Sequence, residues 1–401
     1  MAEYTETTNE SWFSRITSSV FGIIFGFVLL AGSGIGLFWN EGRTVKEAAK
    51  LDEGEKVVIT VPGDRVDPAN EGKLVHVSAV VGTEENLVDE QFGVAAPAGA
   101  VRLNREVQMY QWDEDQKTTS HKNANGSTTK TTTYSYHKKW SSNRINSGNF
   151  KRSGYSNPSN WLASSNLFLA NQARLGAFGF GADLVSRLSE SAPVVLDPGK
   201  VKLDSLENNG RIEGDTIYAG ADSRIPQIGD LRITFTTTPR SNATIVGQQA
   251  GETFKGYMTK VQRELLLVSS GEKSSQVMFA EARTANALIS WAIRVGGFIV
   301  MWIGLGLIMG PLTVLADIIP FLGSIVGAGT KFIAGVLAFV LSTTIIAVGW
   351  FASRPLLGIS LVVVAVGLIV WLVIRNNKKK QQQTPPALSS PPALEPPPLN
   401  M

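Results

Sequence analysis

Cysteine is absent from all 401 residues. That removes disulfides, thiolate metal sites, iron–sulfur clusters and a cysteine nucleophile together. Histidine is nearly absent too: only His76, His121 and His137 occur, and no two stand four apart as a helix-borne zinc pair would. No metal site and no cofactor is therefore expected. The net charge is only +3, with no basic stripe interleaved with aromatics, so no nucleic-acid partner is expected. Neither a nucleophile elbow nor an ordered Ser/His/acid grouping is present, and no catalytic residue is assigned.

Charge is also missing from four long apolar runs, and a bilayer core needs roughly 20 such residues as helix. The runs are 16–39, 291–315 with its uncharged part at Val295–Leu315 preceded by Arg294 at the span edge, 332–351 and 356–374. Between the second and third lies 316–331, apolar but cut by Pro320 and several glycines. This stretch reads as an interfacial helix on the bilayer surface, with a re-entrant loop as the alternative. Ala31 and Ser33 resemble a signal cleavage site, but the apolar run continues to Trp39 and the leader is acidic, so the first span is read as retained.

The cluster Arg375–Lys380 carries four positive charges directly after the last span, which marks the cytoplasmic side. Four spans then place the leader 1–15 and the Pro-rich tail 375–401 in the cytoplasm. The large segment 40–290 falls on the other side. Arg43, Lys46 and Lys50 after the first span are a local signal of the opposite sense. Gly22 and Gly26, Gly32 and Gly36, and Gly306 and Gly310 have the small-xxx-small spacing that lets helices approach closely in lipid.

Segment 40–290 is read as β-rich α+β. Val57–Val61, Leu74–Val81, Leu231–Thr236, Thr244–Gln249 and Glu264–Ser269 are strand-like runs. Arg102–Trp140 reads as two long strands joined through a Thr/Ser/Lys-rich tip that contains Asn125-Gly126, a tight-turn signal. Tyr110 and Trp112 are expected to pack against Tyr134, Tyr136 or Trp140 across that hairpin. Ser159–Leu188 looks helical, with Gly176, Gly179 and Gly181 as a hinge. Ser274–Ser290 reads as an amphipathic helix continuing into the second span. The predicted architecture is thus α+β: a four-helix transmembrane bundle with a large β-rich domain inserted between spans one and two.

A resemblance rests on Asn40-Glu41-Gly42-Arg43 after the first span and on Asn70-Glu71-Gly72-Lys73-Leu74-Val75-His76. It continues through Met109-Tyr110-Gln111-Trp112, Tyr134-Ser135-Tyr136, Trp140, Asn146-Ser147-Gly148-Asn149-Phe150, Asn157-Pro158, Gly229-Asp230-Leu231-Arg232 and Arg354-Pro355-Leu356. In that order these motifs resemble the transmembrane protein 43 family, also called LUMA. The resemblance implies four spans and a large lumenal or periplasmic domain. For animal members it implies residence in the endoplasmic reticulum and inner nuclear membrane, in association with envelope proteins. The lack of cysteine and the long polar insertion point to a bacterial member.

Four residues are expected at the membrane interface: Trp39 as an aromatic anchor, Glu41 and Arg43 as a pair across a turn at Gly42, and Arg354 before the last span. The expected role is a scaffold that organises membrane or envelope proteins. Its partners would be membrane lipids, other copies of the chain and envelope proteins. An oligomeric channel is the alternative, although ionisable residues are nearly absent inside the spans. A lipid-acting enzyme would have only the acidic run Asp113-Glu114-Asp115 to support it.

Overall fold

The computed structural model describes residues 3–123, 127–207, 210–316, 320–354 and 371. The turn at Asn125-Gly126, the fourth apolar run and the tail lie outside them, apart from Trp371 and Arg354 at their borders. The helices used below are α1 (Trp12–Val57), α2 (Ser275–Ile308), α3 (Gly310–Ala316) and α4 (Pro320–Ser353). The strands used below are β1 (Glu3–Glu10), β2 (Leu74–Gly82), β3 (Arg102–Lys122), β4 (Thr128–Ser141), β5 (Gly210–Glu213), β6 (Thr216–Ala219), β7 (Leu231–Thr238) and β8 (Ser241–Ala250).

Ser11 caps α1, its hydroxyl accepting from the Ser14 amide at 3.2 Å. Nothing in the next 46 residues breaks the helix until Val58-Ile59-Thr60 and Pro62 favour extended backbone. At about 1.5 Å per residue α1 is roughly 69 Å long, far more than a bilayer core. The chain therefore does not turn where span one ends. Gly42 lies inside a helix, and residues 40–57 belong to α1 rather than to the β-rich domain. Ser274 caps α2 in the same way, and α2 runs unbroken from the domain through the second apolar stretch.

Two expectations change at the other end. The second apolar run does not reach Leu315 as one helix: α2 stops at Ile308, and Gly310-Pro311 starts the short α3. Residues 320–331, expected as a separate interfacial segment, are the first turns of α4, continuous with 332–353. Pro320 does not cut this helix, which is continuous over Pro320–Ser353. Three of these helices are long and apolar enough to cross a membrane.

The β-rich part holds two principal sheets. One runs β1-β4-β3-β7-β6-β5, with Ala192–Pro193 on β7 and Asn166–Leu169 on β3. The other is built on β2 and β8, which pair antiparallel from Leu74↔Gln248 to Val81↔Ser241. Alternation puts Leu103, Val107, Ile233 and Phe235 of the first sheet into the same core as Val75, Val77 and Ile245 of the second. The reading of Ser159–Leu188 as helix is wrong. The segment holds short strands at 166–169, 174–175 and 178–179 and one helical turn at 182–185. Gly176 is no hinge: it turns the chain between two of these strands at φ +58°, close to the Gly63 carbonyl.

An ion pair is sealed within this domain. Arg105 Nη1 donates to both Asp89 oxygens at 2.9 and 2.7 Å, and both side chains are at most 5% exposed. The Gln91 and Phe92 amides also donate to Asp89. Asp89→Ala leaves the guanidinium buried and unpaired, and is expected to cost about 3–5 kcal/mol, measured as a lower midpoint in thermal unfolding of detergent-solubilised protein.

Helices and domain share a second core. Leu51 of α1 and Met278 and Phe279 of α2 pack with Leu74, Val246 and Leu265 of the domain. Leu51 and Phe279 are fully buried, each worth about 1.5–3 kcal/mol. The domain is thus joined to the bundle by packed side chains on two unbroken helices, not by flexible linkers.

The N-terminal strand takes an unexpected place. β1 pairs antiparallel with β4 from Glu3↔Ser135 to Glu10↔Thr128, at the end of the hairpin remote from the domain core. Glu10 lies two residues before α1, and Trp12 Nε1 donates to the Val314 carbonyl of α3 at 2.9 Å. The hairpin tip thus stands at the end of the bundle opposite the domain.

Candidate functional site

Where α1 and α2 leave the apolar region, a polar seam joins them. Asn286, Ser290 and Arg294 are four apart and share one face of α2. Facing them are Asn40, Glu41, Arg43 and Thr44 of α1. Arg294 donates to Glu41 through Nε at 2.8 Å and Nη2 at 2.7 Å, a two-pronged pair in which Glu41 is 1% exposed. Asn40 is fully buried; its Nδ2 donates to the Ser290 carbonyl and hydroxyl at 3.4 and 3.3 Å. Arg43 donates to Asn40 Oδ1 at 3.3 Å and to Asn286 Oδ1 at 3.1 Å. Thr44 completes the seam through Ser290 Oγ at 3.1 Å and by accepting from Asn286 Nδ2 at 3.2 Å.

The expected Glu41–Arg43 pair does not form. Two residues apart on a helix point to nearly opposite faces, so Glu41 reaches Arg294 while Arg43 joins the amides. Sequence reading placed Arg294 at a span edge and missed its role. The signal available was one carboxylate and one guanidinium at the domain-side ends of two apolar runs. Trp39, by contrast, is 60% exposed on the outside of α1. Arg354 lies over the Trp350 ring, 4.9 Å from its centroid.

Among the described residues, Gly26 is the one spaced glycine that meets a neighbouring helix closely. A Cβ at Gly26 would lie 2.6 Å from the Gly304 carbonyl, and one at Gly304 would lie 2.9 Å from the Gly26 carbonyl. Gly22 approaches Leu307 at an ordinary 3.9 Å. Gly32, Gly36, Gly306 and Gly310 have nothing within 4 Å among the described residues. Gly349 of α4, not singled out from sequence, packs on Glu41, where a Cβ would lie 3.1 Å from the glutamate Cβ. Gly349 therefore lets α4 pack directly on the Glu41 side chain.

Beside the seam, among the described residues, α2 and α4 leave an apolar groove of about 680 Å³ lined by Trp291, Val295, Phe298, Phe339, Ile346 and Trp350. Arg294 also borders it and lies over the Trp291 ring at 5.2 Å. Phe351 adjoins Trp350 at the seam end, and Ser342 and Thr343 line the groove further into the bundle.

In the domain, Tyr110 meets Trp140 across the hairpin at 5.2 Å, as alternation implies. Trp112 instead packs edge-on to Tyr155, which stacks on Tyr136 at 4.0 Å. Burial, then the Glu114 carboxylate, pushes the Tyr136 phenol up to about 12. Burial and Asp230 push Tyr218 up in the same way. Tyr136 should therefore stay un-ionised at pH 11, where exposed tyrosines ionise. Absorbance titration at 295 nm of wild type against Tyr136→Phe checks this; a difference appearing by pH 11 would contradict it.

Asp113 and Asp115 stand within β3, not at its end, and share a face with His137 of β4. Their ligand atoms lie within 4.8 Å of one another. Sequence reading missed this grouping because His137 comes from the partner strand. Lys139 Nζ is 2.5 Å from Asp113 Oδ2 and already neutralises it. Asp115 is exposed and Asp113 and His137 are half-buried, and we assign the group no role.

The transmembrane protein 43 family model matches residues 109–355. The chain belongs to the transmembrane protein 43 family. Mouse (Mus musculus) transmembrane protein 43 is 31% identical over 369 residues, covering 88% of this chain and 90% of the relative. The human (Homo sapiens) protein is 30% identical over 362 residues, covering 87% and 89%. A Drosophila melanogaster homologue is 27% identical over 379 residues, covering 92% and 97%. No solved structure matches. The matched range takes in α2 and α4, and with them Arg294 and Gly349, but not α1. It is a membrane-protein family, and neither its description nor the relatives' names is that of an enzyme.

Proposed function

We propose that this chain is a multi-pass membrane scaffold that organises membrane or envelope proteins through oligomerisation and its exposed domain, without catalysis. The observation that carries this reading is the rigid joint between domain and bundle. The Glu41–Arg294 pair, the amide seam around Asn40 and the core at Leu51 and Phe279 fix the domain on two continuous helices. A domain held this way transmits its position to whatever it binds.

Four spans, with run 356–374 as the last, put both chain ends in the cytoplasm and the domain across the membrane. α4 supports that order: it packs against Glu41 at its C-terminal end, so the chain is again at the domain side when it reaches Arg354. In an animal cell the membrane would be that of the endoplasmic reticulum and inner nuclear envelope; in a bacterium, the inner membrane. Lipids are the first partners, and the groove between α2 and α4 is their seat.

Native mass spectrometry of protein released from lipid nanodiscs tests the assembly. A discrete oligomer that keeps bound lipid is expected. A lipid-free monomer would remove both self-assembly and the lipid seat from the proposal.

A further inference from the structure

The outer edge of β4 and the strand that covers it here are separated by a membrane once the topology above is adopted. The stretch 113–122 of β3 extends roughly 33 Å at about 3.3 Å per residue, comparable with a bilayer core of about 30 Å. It is charged and polar throughout, as is β4 opposite it. Hydrocarbon does not accept lipid-exposed strands with open edges. A bilayer around Ile16–Trp39 therefore excludes the β1–β4 pairing, because β1 is tied within two residues to the far end of α1. On the domain side, β4 would then present a bare edge from Thr128 to Ser135.

We propose that this edge receives an extended, acidic, threonine-rich segment of a partner protein on the domain side of the membrane. This rests on the topology given under the proposed function. The chain's own β1, of sequence Glu-Tyr-Thr-Glu-Thr-Thr-Asn-Glu, shows what fits. It forms a ladder of eight residue pairs. Glu10 meets Lys130 at 2.5 Å and Glu6 meets Lys151 at 2.6 Å. Thr129 donates to Asn9 at 2.7 Å, and the Tyr4 ring lies 6.2 Å from that of Tyr134. Backbone pairing supplies the binding, and the two lysines select for carboxylates at positions four apart. A second copy's β4 fits less well, because that strand carries Lys130, Lys138 and Lys139 and no Asp or Glu, and so offers Lys130 no carboxylate. Open edges of this length are normally covered or charged, and this one carries cations matched to an anionic strand.

The chain has no cysteine, so introduced thiols report cleanly. Thr7 and Thr131 are paired residues, and paired Cα atoms at about 4.5–5.5 Å lie in disulfide range. Full-length Thr131→Cys protein in nanodiscs is offered a peptide of the β1 sequence with cysteine at the position of Thr7, under mild oxidation. A mixed disulfide is expected. Its yield should fall roughly ten-fold when the glutamates matching Glu6 and Glu10 are lysine, or when the protein carries Lys130→Glu. Equal yield with the lysine peptide would overturn the proposal, provided a soluble maleimide labels the Thr131→Cys protein. Disulfide-linked dimers of the Thr131→Cys protein without peptide would also overturn it, giving the edge to a second copy. The double variant Thr7→Cys/Thr131→Cys reads the topology separately. An intramolecular bridge in nanodiscs would contradict the topology itself, whatever the peptide does.

Discussion

Arg294→Met is expected to destabilise the protein by about 3–5 kcal/mol, the usual cost of leaving a buried charge without its partner. Glu41 is 1% exposed and has no other cation within salt-bridge reach among the described residues, so its carboxylate is stranded. Gly349 packs on the Glu41 Cβ and Cγ. Replacing both partners by neutral side chains, Glu41→Gln with Arg294→Met, should recover most of the loss, because the penalty lies in the unpaired charge more than in the lost pair. Thermal unfolding in nanodiscs, followed by tryptophan fluorescence, measures all three. A single variant as stable as wild type would show that water reaches Glu41 and that the seam does not hold the helices.

The second large effect is expected at Gly26. A leucine there must drive into the Gly304 carbonyl and Ile308, where a Cβ already falls at 2.6 and 2.8 Å. Both neighbours belong to α2, and a backbone carbonyl does not move aside without moving its helix. Overpacking of this kind costs about 1–3 kcal/mol, and the expected outcome lies at the upper end, with loss of the monodisperse peak in size-exclusion chromatography. Gly36→Leu is the matched control. It faces open space among the described residues and should change stability by no more than about 0.5 kcal/mol. Equal effects from the two would mean that α1 does not pack on α2 through Gly26.

These two sites show how far sequence reading goes. The glycine spacing was legible, but spacing tells only which residues share a face. It does not tell which face meets another helix, so Gly26 was found together with Gly32 and Gly36, while Gly304 was not. The hairpin of β3 and β4 was legible because Val101, Leu103, Val107 and Met109 share one face of an alternating stretch from Val101 to Gln111. Ser159–Leu188 was not, since Trp161, Leu162, Leu167, Leu169 and Leu175 recur at intervals a helix would also produce. Only the tertiary core, which takes Leu175 and Phe178 from either side of a glycine turn, decides for strands.

The misread start of the domain has a different cause. Lys46–Lys56 is rich in good helix formers, Lys, Glu, Ala and Leu. Treating Asn40–Arg43 as a stop after a span hid that continuity. Seen as helix, the same four residues are a polar seam between two membrane helices. The seam is what turns an anchored domain into a rigidly mounted one.

That rigid mounting is the central claim, and a distance measurement tests it most directly. Asp215→Cys in the exposed turn between β5 and β6 and Ile303→Cys on the outside of α2 give two spin-label sites in a chain with no other cysteine. Double electron–electron resonance in nanodiscs should give one narrow distance distribution that broadens when Arg294→Met is added. A broad or multi-peaked distribution in the otherwise wild-type protein would contradict the account, because the domain would then swing on its helices.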